Sequence, residues 1–197
     1  SGIQGMDLDQ LSEAHELARR ALLIAHGLTW PAVINYIVDV VAISAMALGR
    51  LDAIMPTLAS LALERAHDYQ IRQTVSRLAL NSDQPALVIK LREKAGPASL
   101  TADEELTVGV AACQIGNPTL GFKYVGATDL SALPDSDINL ASLLMIGAAA
   151  NAASRNDIYS KISERLRNSN SSMIYGAMLD ATVAVRNSSL SRVDALQ

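Results

Sequence analysis

The chain is poor in cysteine, in aromatic side chains and in histidine. Its single cysteine, Cys113, excludes an internal disulfide. Burial must therefore hold the fold, and a reducing, cytoplasmic compartment is the expectation. Aromatic residues are only 4% of the 197, with one Trp and one Phe. The core then has to be built from Ala, Leu, Ile and Val, and surface for stacking nucleic-acid bases is scarce. The three histidines and the cysteine are scattered without ligand spacing, which gives no metal site and implies no cofactor. No G-x-S-x-G, P-loop or G-x-G-x-x-G pattern occurs. Strand-like alternation is nearly confined to "FKYV" at 122–125, and no segment repeats at a fixed period, which argues against a solenoid.

What is present is apolar, Ala-rich and well punctuated. Half of the residues are hydrophobic and 18% are charged, with a net charge of −4. That composition suits a folded chain with a sizeable core and disfavours a general polyanion binder. Helix starts and stops are frequent. Asp7 with Gln10, and Thr101 with Glu104, have capping-box spacing. Thr29 precedes Pro31 at the head of a long apolar run, and Gly27, Gly49, Gly96 and Gly116 stand where helices should stop. One long helix is expected from about Asp52 or Met55 to Asn81. Polar breaks are expected at "NSNSS" (168–172) and "NSS" (187–189). The pattern predicts an all-α fold, an irregular multi-helix bundle of seven or eight helices. A long irregular loop at about 116–137 would hold at most a short strand. Residues 1–5 read as an expression remnant before Met6. Residues 6–197 read as a single α-helical domain, with a flexible tail from about 187.

The run from Trp30 to Leu48 is long enough to span a bilayer but carries Asp39. Its eight Val, Ile and Leu side chains favour insertion by roughly 3–4 kcal/mol, and a central Asp opposes it by about 3. With Asn35 and Pro31 added, a packed helix is the better reading, and no membrane span is expected. The segments 30–48 and 138–152 should be the most buried helices. Asp39 and Asn35 are four apart and share one side. Asp39 is expected to be structural; a desolvated pocket carboxylate is the alternative.

Glu64 and His67 form one E-x-x-H pair, but a di-iron bundle needs two. Cys113 sits near a helix C-terminus among small apolar residues, which disfavours a thiolate. Basic residues recur between 50 and 94, where Arg65, Arg72, Lys90, Arg92 and Lys94 are possible phosphate contacts. Acids interleave with them, so nucleic acid is possible but not favoured. Gly109, Gly147 and Gly176 lie inside expected helices, where close helix approach would repay their low helix propensity. In the long loop, Phe122, Lys123 and Tyr124 form an interaction candidate, by edge pairing or by presenting Lys123 and Tyr124. No catalytic residue emerges. The expected role is a non-catalytic helical interaction or assembly protein (an accessory subunit, adaptor or structural protein). It should form a homo-oligomer or bind a protein partner. The alternatives are an enzyme or ligand binder using an inter-helical pocket near Asp39, and a viral or phage nucleocapsid-type protein.

Overall fold

The computed structural model describes residues 7–96, 100–168 and 173–194. The expected remnant at 1–5 lies outside them. Among the described residues all regular structure is helical, with ten α-helices and one 3-10 turn, so the all-α, multi-helix expectation holds. Two differences raise the helix number above seven or eight. The expected helix over 52–81 is two, α3 (Leu51–Glu64) and α4 (Tyr69–Asn81). Asp68 separates them by accepting hydrogen bonds from the backbone N–H groups of Gln70 and Ile71. The expected loop contains a further helix, α7 (Pro118–Ala127), and a 3-10 turn at Leu130–Ala132.

The chain forms two compact units, Ser1–Ala98 and Ser99–Gln197. The first contains α1 (Leu8–Ala25), α2 (Pro31–Ala47), α3, α4 and α5 (Pro85–Ala95). α1 packs on α2 and α3; α4 packs on α2, α3 and α5. The core is aliphatic, as composition requires: Leu22, Ile34, Met55, Leu58, Leu61, Ile71 and Leu91 are fully buried. Asp7 and Gln10 form the expected capping box on α1. Thr29 does not cap α2. The N-cap position is Trp30, which makes no side-chain cap, and Pro31 follows it at the first helical position. Gly49 ends α2 at φ +64°, and Arg50 N–H reaches back to Ala45 O at 2.8 Å. That six-residue closure needs a left-handed residue, which glycine supplies without strain.

The second unit contains α6 (Ala102–Gln114), α7, α8 (Asp137–Ala152), α9 (Asn156–Arg167) and α10 (Met173–Asp194). α6 packs on α7 and α8, and α9 packs on α7, α8 and α10. Thr101 and Glu104 form the second expected capping box. Burial is heaviest on α6, where every residue from Leu106 to Ala112 is buried. α2, expected to be packed on most faces, is not. It buries Ile34, Val38, Val41, Ala42, Ser44 and Ala45 and leaves the opposite face open. An even apolar wheel cannot show how many neighbours a helix has. α10 runs through 187–189, where a break was expected. Asn and Ser lower helix propensity by only about half a kcal/mol each, too little to stop an established helix.

The small-residue expectation is met where α6 crosses α7. A Cβ on Gly121 would lie 2.6 Å from Cys113 Sγ and 2.8 Å from Gly109 O; one on Gly109 would lie 2.8 Å from Val125 Cγ2. The two backbones therefore touch, and Gly121 is a helical contact residue, not a turn glycine. Gly147 of α8 meets Ile162 and Leu179 at 3.2 Å in the same way, whereas Gly176 makes only ordinary contacts.

Candidate functional site

The segment 116–137 shows why "FKYV" presents no edge. Asn117 accepts a hydrogen bond from Leu120 N–H, and Pro118 opens the helix. Helical geometry then turns each successive side chain by about 100°. Phe122 and Val125 point inward and are buried; Lys123 is exposed and Tyr124 half-buried. Phe122 lies under the Arg155 guanidinium, 5.6 Å from ring centroid to Cζ. Of the three interaction candidates, only Lys123 stands fully in solvent. Edge pairing is excluded, because this stretch is helix.

Two cations on α9 hold the stretch between α7 and α8. Lys161 Nζ donates to Thr128 O (2.6 Å) and Gly126 O (3.0 Å) at the end of α7. One turn on, Arg165 donates to Leu130 O (2.8 Å), to Leu133 O (2.9 Å) and to the Asp135 carboxylate. A cleft of about 410 Å³ lies beside them, lined in part by Asp129, Ser131, Glu164 and Asn168. The cations replace water on carbonyls left over by the 3-10 turn. Arg165→Met should cost about 2 kcal/mol, the worth of hydrogen bonds from a charged donor to part-buried carbonyls. Hydrogen exchange should quicken between 128 and 136, and unchanged protection there would contradict the role.

Asp39 is half-buried in the seam between α2 and α4. Thr74 Oγ1 donates to its Oδ1 at 3.3 Å, and one turn earlier Asn35 Nδ2 donates to Gln70 Oε1 at 3.0 Å. Two i,i+4 pairs thus face each other, which sets the register of the two helices. The five basic candidates do not converge. Arg65 donates to Ala25 O and His26 O, each at 3.4 Å, and to Leu28 O, so it caps the end of α1. Arg72 is buried and donates to Ala66 O. Arg92 donates to Gly96 O, while Lys90 and Lys94 are exposed. Glu64 pairs with His26 Nδ1 at 2.6 Å, and His67 is exposed. Among the described residues no three His, Cys, Asp or Glu side chains could hold a metal ion together. The Cys113 thiol is pushed up by burial, away from the thiolate.

Sequence reasoning passed over one pair, His15 and Ser44, both buried, with Nδ1 and Oγ 2.9 Å apart. The residue types suggest a base and a nucleophile. The surroundings offer the single Ser44 proton other acceptors, because Ser44 Oγ also lies 2.8 Å from Val40 O and 3.1 Å from Val41 O on its own helix. The buried His15–Ser44 hydrogen bond joins α1 to α2.

The most distinctive open surface lies on the other side of α2. Trp30 (73% exposed), Val33, Tyr36 (71%), Ile43 (47%) and Met46 (46%) are large apolar side chains in water. Val33, Tyr36, Val40, Ile43 and Ala47 recur at helical spacing and form one ridge. No charged residue belongs to it. At its N-terminal end a hollow of about 260 Å³ is lined by Gly27, Leu28, Thr29, Trp30 and Val33. Arg65, by holding the carbonyls of Ala25, His26 and Leu28, fixes the turn that forms this hollow. Among the described residues, no helix is long and apolar enough to cross a membrane. Comparison with protein-family models, curated proteins and solved structures finds no match to the chain.

Proposed function

We propose that the chain is a non-catalytic helical interaction and assembly protein that self-associates, acting as an accessory, adaptor or structural subunit. The observation that carries this reading is the uncharged apolar ridge of α2. A helix this apolar gains little by facing water, and contiguous exposed apolar patches mark interaction sites. The polar residues that sequence or chemistry singles out support the same reading. Asp39, Arg65, Arg72, Arg165 and His15 each engage the chain's own groups.

Light scattering on the full chain tests the proposal. A mass of two or more copies at tens of micromolar is the expected result, since closed symmetric oligomers are the common outcome of such surfaces. A monomer mass at that concentration would refute self-association.

A further inference from the structure

We infer that the chain is a tandem duplicate, two copies of one five-helix module, each closing its own core, with equivalent residues about 87 apart. The copies are the two compact units, Ser1–Ala98 and Ser99–Gln197. In each, every helix packs on the next and on the next but one. The second, third and fourth helices open at Pro31, Leu51 and Tyr69 in the first unit. In the second unit they open at Pro118, Asp137 and Asn156, which are 87, 86 and 87 residues on. Proline holds the first position of the second helix in both. The first helix carries a capping box in both, and a glycine, Gly27 or Gly116, follows it.

Helix starts can agree by chance, but the buried faces fix the register independently. The third helix buries Ile54, Met55, Leu58, Leu61 and Ala62. Its counterpart buries Asn139, Leu140, Leu143, Ile146 and Gly147, position for position 85 residues on. The fourth buries Ile71, Val75, Ser76 and Ala79, and its counterpart Ile158, Ile162, Ser163 and Leu166, each 87 on. In the fifth, Val88 and Leu91 match Gly176 and Leu179. A buried face fixes an offset only to within one helical turn, about 3.6 residues, and the helix starts choose the same turn each time. A side-chain meeting carries over as well. Thr74 donates to Asp39 between the second and fourth helices, and 87 residues on Lys161 donates to Gly126 O. Where the copies differ, the difference is compensated. α2 runs on to Ala47, whereas α7 stops at Ala127 and leaves the Leu130 and Leu133 carbonyls free of a helix. Arg165, which satisfies those carbonyls, stands where the first copy has the buried Leu78. The repeat is hidden in the sequence because burial is kept at these positions while residue identity mostly is not.

An experimental structure of the full chain tests the register. Residues 31–95 and 118–183 are laid over each other in helix order. Ile34, Leu58, Ile71 and Leu91 should fall within about 3 Å of Gly121, Leu143, Ile158 and Leu179, two residues' rise along a helix. A superposition that needs another helix order, or a slip of a full turn in any of these helices, overturns the duplication. Native-state hydrogen exchange on the full chain tests the separate cores. Leu58→Ala and Leu143→Ala remove the same side chain from the same place in each copy, and both leucines are fully buried. Each should lower protection through its own unit by about 100-fold or more and leave the other unit unchanged. Ile71→Val and Ile158→Val, milder changes at a second equivalent pair, should divide the same way at about two- to tenfold. Loss of protection in both units from a variant in either one would reveal a single cooperative body and overturn the two-module arrangement.

Discussion

Gly121→Ala should destabilise the second unit by up to about 2 kcal/mol, although alanine is the better helix former. Two effects of opposite sign compete. Replacing a helical glycine by alanine stabilises by about 1 kcal/mol. Against that, the new Cβ would sit 2.6 Å from Cys113 Sγ and 2.8 Å from Gly109 O. Overpacking of this kind costs roughly 1–3 kcal/mol, and here one of the opposing atoms is backbone, so helix α6 itself must move. The overlap wins. Cys113→Ala should recover only part of the loss, because it removes the sulfur and leaves the carbonyl. Gly126→Ala is the control on the same helix. Its Cβ would meet only Ile158 Cδ1, at 3.2 Å, the end of a side chain that can turn. It should be neutral or slightly stabilising. Urea unfolding of the three variants measures the differences, and hydrogen exchange on α6 and α7 locates them. Equal effects of Gly121→Ala and Gly126→Ala would show that the α6–α7 crossing is looser than its geometry indicates.

The same crossing marks how far the sequence could be read. Local chemistry was legible: both capping boxes and the Gly49 and Gly116 stops act through a few neighbouring backbone groups. The all-helical class was legible because alanine and the 3.6-residue period both point to it. α7 was not. Its two glycines and its Phe-Lys-Tyr-Val run resemble loop and strand, and its helical state depends on Gly121 meeting Gly109, a contact twelve residues away in sequence. The split between α3 and α4 was missed because apolar periodicity continues across Asp68. The α2 ridge was half legible. Its apolarity was plain, but a wheel that is apolar all round does not reveal which side lacks a neighbour. The roles of Arg65 and Arg165 were hidden for a related reason. Each reaches carbonyls more than thirty residues away, and nothing in the sequence records that distance.

The ridge and the turn beside it depend on how α1 is joined to α2, and His15 is the buried polar link between them. Burial, then the positive field of Arg50, with Arg19 adding a little and Glu16 opposing, hold the His15 imidazole below its ordinary pKa. The folded chain therefore keeps His15 neutral at pH values where the unfolded chain, near 6.5, has already taken up a proton. More protons are bound by the unfolded state in that window, so stability rises with pH there. It should be complete above about pH 6.5 and fall as pH drops below it, at up to about 1.4 kcal/mol per pH unit. The fall should level off once the folded imidazole also protonates. His15→Gln keeps an amide donor for Ser44 Oγ and does not titrate. It should cost little at pH 8 and should remove this component of the acid sensitivity. His15→Ala removes both the buried ring and its hydrogen bond, and should cost about 3 kcal/mol at any pH. Urea unfolding of the three proteins between pH 5 and 8, on the order of the window that histidine controls, gives the comparison. A wild-type profile parallel to that of His15→Gln would place the acid sensitivity elsewhere.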